Sequence, residues 1–236
     1  MDVVLIFLLM FFLILFGMPV GFAMGFAGIV GLLLTNGLDR TLVFVGTEAY
    51  SAVANPTLAT VPLFILMGEL FAAGGIARDL FTSLQKFVGR IPGGVAITTV
   101  FTSAGFGAIS GSTTAAAAAL SRITMPEFKR LGYDMSVASG VVTVSGTLAI
   151  MIPPSIPMII YGVYTQTSVG KLLLAGLIPG LLTALVYTIG IIFWSRMKPG
   201  YMPGGASYSW GEKLASVKNL WGFILIVLFI LFALYG

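Results

Sequence analysis

The side chains with most chemical capacity in this chain are hydroxyls, and they gather in two places. Ser110, Ser112, Thr113 and Thr114 sit in FGAISGSTTAAAAAL (Phe106 to Leu120), while Ser145, Thr147 and Ser155 flank or enter MIPPSIP (Met151 to Pro157). All are neutral, hard oxygen donors, the type that suits a small hard cation. Other chemistry is poorly served. The chain has no His and no Cys, which removes the commonest proton shuttle, the thiolate nucleophile and the usual metal ligands. No carboxylate lies between Asp79 and Glu127, so a buried proton relay has nothing to run through at the first cluster. No acid–base or nucleophilic constellation is visible, and an enzyme is not expected. Sodium is the cation these donors predict.

Both clusters also interrupt helices. Ser-Gly-Ser-Thr-Thr separates two apolar arms, and Pro153 and Pro154 supply no backbone N–H and clash with the turn before them, freeing carbonyls around Gly146–Ile150. A helix ending near Ala108 and another ending near Met151 offer carbonyls, the negative dipole ends, to a cation. Helices starting near Thr113 and Ser155 offer free N–H groups, which suit an anionic substrate. Discontinuous helices in secondary transporters hold ions and carboxylates in this way. Each motif alone admits a packing explanation. Small residues such as the Ala115–Ala119 run allow helices to approach closely in membranes, and Pro-Pro can be a plain kink. The two together, with matching flanking charge, favour an ion site.

The elements that must position these residues are membrane helices. Apolar residues make up 58% of the chain and charged ones 8%, against about 25% charged in an ordinary soluble domain. Uncharged runs such as 3–36 and 220–236 reach or approach the ~20 residues that cross a hydrocarbon core. The early run is not read as a signal peptide, since it is long, lacks a basic start and is followed by further spans. The net charge of +4 does not point to nucleic acid, because the Lys and Arg residues fall at span ends, where the positive-inside rule places them.

The expected organisation follows in order. Residues 1–75 are scaffold-type transmembrane helices, with 3–36 either one kinked helix or two short ones around Gly17-Met18-Pro19, and a weaker segment at 41–54. Residues 76–92 form an amphipathic interfacial helix, with Ile76, Leu80, Leu84, Phe87 and Val88 on its apolar face. Residues 93–131 form a hairpin with basic residues at both ends (Arg90 before it; Arg122, Lys129 and Arg130 after the tip). In its apolar stretch, Gly94 to Met125, the arms around the 110–114 tip have ~14 residues and reach ~21 Å, short of the ~30 Å core, so the hairpin is read as re-entrant with both ends cytoplasmic. Residues 134–197 hold the broken helix, capped by Asp134, and the following span. Residues 198–218 are a cytoplasmic linker, and 219–236 start a new span. Thr165–Ser168 should face outside, as should Met1 if 3–36 is one helix. Glu69 is read as interfacial.

The stretches PLFILMGELFAAGGIA, FGAISGSTTAAAAALSRITMPEFKRLGYD, GTLAIMIPPSIPMIIYG and LLLAGLIPGLL resemble the large membrane subunit of tripartite ATP-independent periplasmic (TRAP) transporters, of the DctM type, from about Gly17 to Pro199. The resemblance implies an all-α polytopic protein of the bacterial or archaeal inner membrane, the first inverted repeat of an elevator-type ion transporter with a re-entrant hairpin and a Pro-broken helix. It implies sodium-coupled uptake of C4-dicarboxylate, sialic acid or a similar organic acid, a small membrane subunit and a periplasmic substrate-binding protein. The implied sodium site comprises Ser110, Gly111, Ser112 and Thr113 with Gly146, Thr147, Pro153, Pro154 and Ser155, and Thr113 and Ser155 are the candidate substrate contacts. Against the two repeats of the family, the chain holds the first repeat and one helix of the second, as a piece of a longer protein or one part of a split one. A self-sufficient sodium/dicarboxylate symporter and an inactive membrane fragment are the alternative functions.

Overall fold

The computed structural model describes residues 2–235, so Met1 and Gly236, the end points of the first and last expected segments, lie outside the described residues. Among the described residues eleven α-helices follow one another: α1 (Asp2–Leu15), α2 (Val20–Ala54), α3 (Thr60–Ala73), α4 (Ile76–Val88), α5 (Gly94–Ser110), α6 (Thr113–Arg130), α7 (Met135–Gly146), α8 (Ile156–Tyr164), α9 (Val169–Met197), α10 (Trp210–Val217) and α11 (Trp221–Tyr235), with 3-10 turns at Thr147–Ile150 and Lys218–Leu220. No strand occurs among the described residues. Stretches 20–52, 169–197 and 210–232 are long and apolar enough to cross a membrane, and the pair α3–α4, bent by 60°, is a fourth candidate.

The chain divides into two units, 1–59 and 60–236. In the first, Gly17 at φ 87° ends α1 and Pro19 precedes α2, so 3–36 is two helices rather than one. Pro fixes the φ of a helix entry and needs no donor there. Gly31 of α2 lies against Ile6 of α1. The segment expected at 41–54 is the second part of α2, which is two helices meeting at a kink: Gly37 is non-helical (φ 76°, ψ 173°), and the second helix follows it to Ala54, beginning a turn earlier than expected. Phe7, Phe11, Phe22 and Phe26 are exposed on this unit, as lipid-facing side chains would be.

The second unit is built around α5, whose first seven residues are all buried. Helix α4 covers it with Ala77, Leu80 and Phe81. Phe87, expected on that face, is 41% exposed, because the buried stripe is rotated toward Ala77 and Phe81. Glu69 is exposed on α3.

Helix α9 serves as a ruler along this unit. Gly93, before α5, sits against Ile191 and Ser195; Met151 and Ile152 sit against Gly176 and Gly180; Gly162 of α8 sits against Val169. The start of α5 and the end of α9 therefore share one end of the unit. The interruption between α7 and α8 lies partway along, and the nine residues of α8 add about 14 Å beyond it at 1.5 Å per residue.

The expected linker is a clamp in its first half. Gly93 N–H donates to the Met202 carbonyl (3.0 Å), Gly205 N–H to Gly89 (2.7 Å) and Asp134 N–H to Tyr201 (3.1 Å), joining the α4–α5 and α6–α7 turns to the segment after α9. Its second half is helix α10, begun by a capping box in which Ser209 accepts from Glu212 N–H and the Glu212 carboxylate accepts from Ser209 N–H. Ser83 of α4 donates to the Ser216 carbonyl at 2.9 Å, tying α10 to α4. Asp134 caps α7 as expected, accepting from Ser136 and Val137 N–H at 3.0 Å each, a contact of about 1 kcal/mol.

Candidate ion-binding site

Helix α5 stops because Gly111 takes φ 59°, a left-handed conformation that suits glycine, and its N–H still closes on the Gly107 carbonyl at 3.0 Å. Ser112 is extended (φ −127°, ψ 124°), and its hydroxyl accepts from Ala115 N–H. The turn proper is thus Gly111 and Ser112 alone. Arms of 17 and 18 residues reach roughly 26 Å, longer than expected because Ser110, Thr113 and Thr114 are helical and α6 runs on past Pro126 to Arg130. The other interruption is built alike. Helix α7 tightens into the 3-10 turn at Thr147–Ile150, residues 151–155 leave the helix, and the Pro153–Pro154 peptide is cis. Ser155 (φ −127°, ψ 117°) then caps α8, its hydroxyl accepting from Met158 N–H.

These two interruptions meet. Ile156 N–H donates to the Gly111 carbonyl at 3.3 Å, and a Cβ on Gly111 would lie 2.7 Å from the Pro154 carbonyl oxygen. Both arms dock on the broken helix. A Cβ on Gly107 would collide with Ala149 Cα, and one on Gly146 would lie 3.3 Å from Ala117 Cβ and 3.4 Å from the Thr113 carbonyl oxygen. Ser103 donates to the Ser145 carbonyl at 2.6 Å. Ser110, Gly111, Ser112 and Thr113 are thereby brought to Gly146, Pro153, Pro154 and Ser155. Thr147 is the exception: its hydroxyl donates to Val144 O at 2.7 Å and shares a hydrogen bond with Tyr187 of α9 at 3.2 Å.

Two hydroxyls test the fit to a cation. Ser110 and Ser145 Oγ are buried and have no hydrogen-bond partner, and leaving such a group unmet costs about 1–3 kcal/mol. A small ion satisfied by neutral oxygens would relieve this. Among the described residues no group of three or more His, Cys, Asp or Glu could hold a metal ion instead.

The two helix starts proposed for an anion are not equivalent. At α8, Ile156 N–H is taken by Gly111, Pro157 has none, Met158 N–H is taken by the Ser155 hydroxyl, and Ile159 N–H by the Ser155 carbonyl. The tip uses one of these donors and Ser155 itself uses the other two, which corrects the expectation that Ser155 opens free N–H groups to a substrate. At α6, Ser112 takes the N–H of Ala115 and Ala116, leaving those of Thr113 and Thr114. The contacts of Ser103, Gly107 and Tyr187 were not foreseen. Ser103, Gly107 and Gly111 form a small-residue stripe at every fourth position, a signal that one helix packs closely on another; Tyr187 had no such signal.

Charge sits at the far ends of the arms. Glu127 accepts from Arg130 Nη2 (2.6 Å) and Nε (2.8 Å) and from Gln85 Nε2 of α4 (2.5 Å). The Arg130 hydrogen bonds hold its carboxyl below the usual carboxylate range despite partial burial. Burial pushes the Tyr133 hydroxyl up to about 12.

The family model for the tripartite ATP-independent periplasmic transporter, DctM component, matches residues 7–236. The chain belongs to this family. Over its whole length the chain is 35% identical to the C4-dicarboxylate TRAP transporter large permease protein DctM of Vibrio cholerae, covering 51% of that protein. It is 38% identical to the protein of the same description from Pseudomonas aeruginosa, over 97% of the chain and 53% of the relative. The sialic acid TRAP transporter large permease protein SiaM of Vibrio cholerae is 35% identical over 79% of the chain and 43% of its own length. The chain spans about half the length of the curated relatives it matches. By their descriptions these relatives are transporter permeases.

Proposed function

We propose that this chain carries the first ion site of a TRAP large permease that couples sodium entry to uptake of an organic acid across the inner membrane. The acid, a C4-dicarboxylate, sialic acid or similar carboxylate as the relatives' names indicate, is delivered by a periplasmic binding protein, and a small membrane subunit accompanies the permease. One observation carries the proposal: the Gly111 carbonyl accepts from Ile156 while the neighbouring Ser110 hydroxyl is buried without a partner. Sodium is held by oxygens of Ser110, Gly111, Ser112 and Thr113 on the tip and of Gly146, Pro153, Pro154 and Ser155 at the break, while Thr147 is engaged with Val144 and Tyr187. The Thr113 and Thr114 N–H groups, at the positive end of α6, face the carboxylate.

The hairpin is re-entrant, its tip stopping inside the bilayer beside the break, and it moves with the broken helix as one elevator body whose second, inverted half lies in the remainder of the longer protein. Uptake of a labelled acid by proteoliposomes holding the full-length permease and its partners tests this. Ser112→Ala should raise the sodium concentration for half-maximal uptake, with one lost ligand worth ~1–3 kcal/mol. An unchanged sodium dependence in both Ser112→Ala and Ser110→Ala would remove the assignment. Uptake that persists without any binding protein would identify a self-sufficient symporter instead.

A further inference from the structure

Away from the tip, a cavity of about 760 Å³ opens between α7 and α9, within the roughly 300–1,000 Å³ range of ligand sites. Its walls are mostly apolar, with Val137, Val141 and Val144 from α7, Val186 and Ile191 from α9, and Val100 from α5, and the hydroxyl residues Ser136 and Ser145 of α7 are the exceptions. One end differs. Trp194 and Tyr201 line it, a smaller hollow with Met197 and Lys198 continues from Trp194, and Lys198 Nζ stands 5.2 Å from the centre of the Tyr201 ring. Asp134 also borders this end, but its carboxylate is occupied in capping α7. No other acidic residue occurs before Glu212, whereas Arg196 adds a second basic one.

Hydrocarbon walls closed at one end by two aromatic rings and a lysine have the polarity of a membrane lipid. Aromatic side chains sit at headgroup level, and basic residues beside a membrane attract acidic headgroups. We propose that the groove between α7 and α9 holds an acyl chain of an anionic phospholipid whose phosphate meets Lys198. The ring of Tyr201 attracts the ammonium through its face and leaves its N–H donors for the phosphate. The occupant also reaches the interruption in α7–α8, since Tyr187 lines the groove and shares a hydrogen bond with Thr147. The proposal requires that the chain be a membrane protein and does not depend on sodium coupling.

Gly140 and Gly190 line the groove from α7 and α9, and a Cβ on either would have no atom within 4 Å. Leucine at either position fills the groove, and leucine is a better helix former than glycine. Gly170 is equally open and lies outside the groove, so Gly170→Leu is the control. The full-length protein is placed in vesicles doped with phosphatidylglycerol carrying a diazirine on its acyl chain, or with the phosphatidylcholine counterpart, and adducts are mapped by mass spectrometry. The expected adducts fall on groove residues of α7 and α9. They drop at least tenfold in Gly140→Leu and in Gly190→Leu, persist in Gly170→Leu, and lose their preference for phosphatidylglycerol in Lys198→Gln. Labelling spread evenly over the apolar surface would overturn the proposal, as would an unaltered preference in Lys198→Gln. So would cross-links from the groove to protein beyond residue 236, which would make the remainder of the longer chain the occupant.

Discussion

Replacing Gly111 by alanine should undo the contact between hairpin tip and broken helix. Two costs add. An L-residue at φ 59° loses roughly 1–2 kcal/mol. The new methyl would lie 2.7 Å from the Pro154 oxygen and 3.3 Å from Ile156 N, so the chains must part and the Ile156–Gly111 hydrogen bond, worth about 0.5–1.5 kcal/mol, is lost. The sum of about 1.5–3.5 kcal/mol corresponds to roughly a 10- to 300-fold loss in the population of docked tip, at 1.4 kcal/mol per factor of ten. Gly132, in the α6–α7 turn, supplies the control, because it has φ 77° and open space around its Cβ. Gly132→Ala carries the backbone cost without the clash. The assay is sodium-dependent uptake by the reconstituted full-length transporter, with membrane abundance measured alongside. Gly111→Ala should need at least tenfold more sodium for half-maximal rate and Gly132→Ala should not. Equal sodium dependence in the two variants would refute the reasoning.

Pro153→Ala with Pro154→Ala should let α7 and α8 join into one helix, abolishing uptake while membrane insertion stays normal; retained uptake would make the kink incidental. Cysteines introduced singly into this Cys-free chain at positions 90, 130 and 205 should resist an impermeant thiol reagent added from outside, while one at 167 should react, and outside labelling at 130 or 205 would contradict a re-entrant hairpin. Glu127 has a lowered carboxyl pKa, so its contribution to stability is full above the usual carboxylate range and disappears as pH falls through the depressed value. The melting-temperature difference between the parent and Glu127→Gln should therefore shrink on acidification, and a difference that is flat or grows toward low pH would show that the Arg130 and Gln85 contacts do not stabilise the hairpin.

Most of what positions the candidate site could be read from local chemistry. Gly111 followed by Ser112 has one economical use between apolar arms, a left-handed turn and a cap, and Pro153-Pro154 followed by Ser155 can hardly do other than end one helix and start the next. Asp134 before Met135 was legible as a cap for the same local reason. What could not be read is nonlocal. Helix α5 carries no charge on any side and its hydroxyls are buried with its apolar residues, so no periodicity says which residues meet α9. Gly140 and Gly190 lie fifty positions apart, and nothing in either neighbourhood marks them as walls of one groove. Of the free N–H groups expected at Ser155, that of Ile156 is taken by the tip, a partner that no local reading includes, and the next two by Ser155 itself. Helix α10 is a different case: Ser209 and Glu212 spell a capping box, but Pro203, Gly204 and Gly205 just before it drew the whole segment into a linker. Those glycines have another use, since Gly204 and Gly205 lie against Arg90 and Gly89.

The central claim is that the docked tip and break bind sodium, and equilibrium binding to the full-length protein in detergent, free of transport and of the partner proteins, tests it most directly. Calorimetric titration with sodium chloride at constant ionic strength, balanced by choline chloride, should give a saturable heat for the parent. That heat should move to higher sodium concentration in Ser110→Ala and in Gly111→Ala. Potassium in place of sodium should give no matching isotherm. Identical responses to sodium, potassium and choline, or a sodium isotherm that neither substitution alters, would contradict the account.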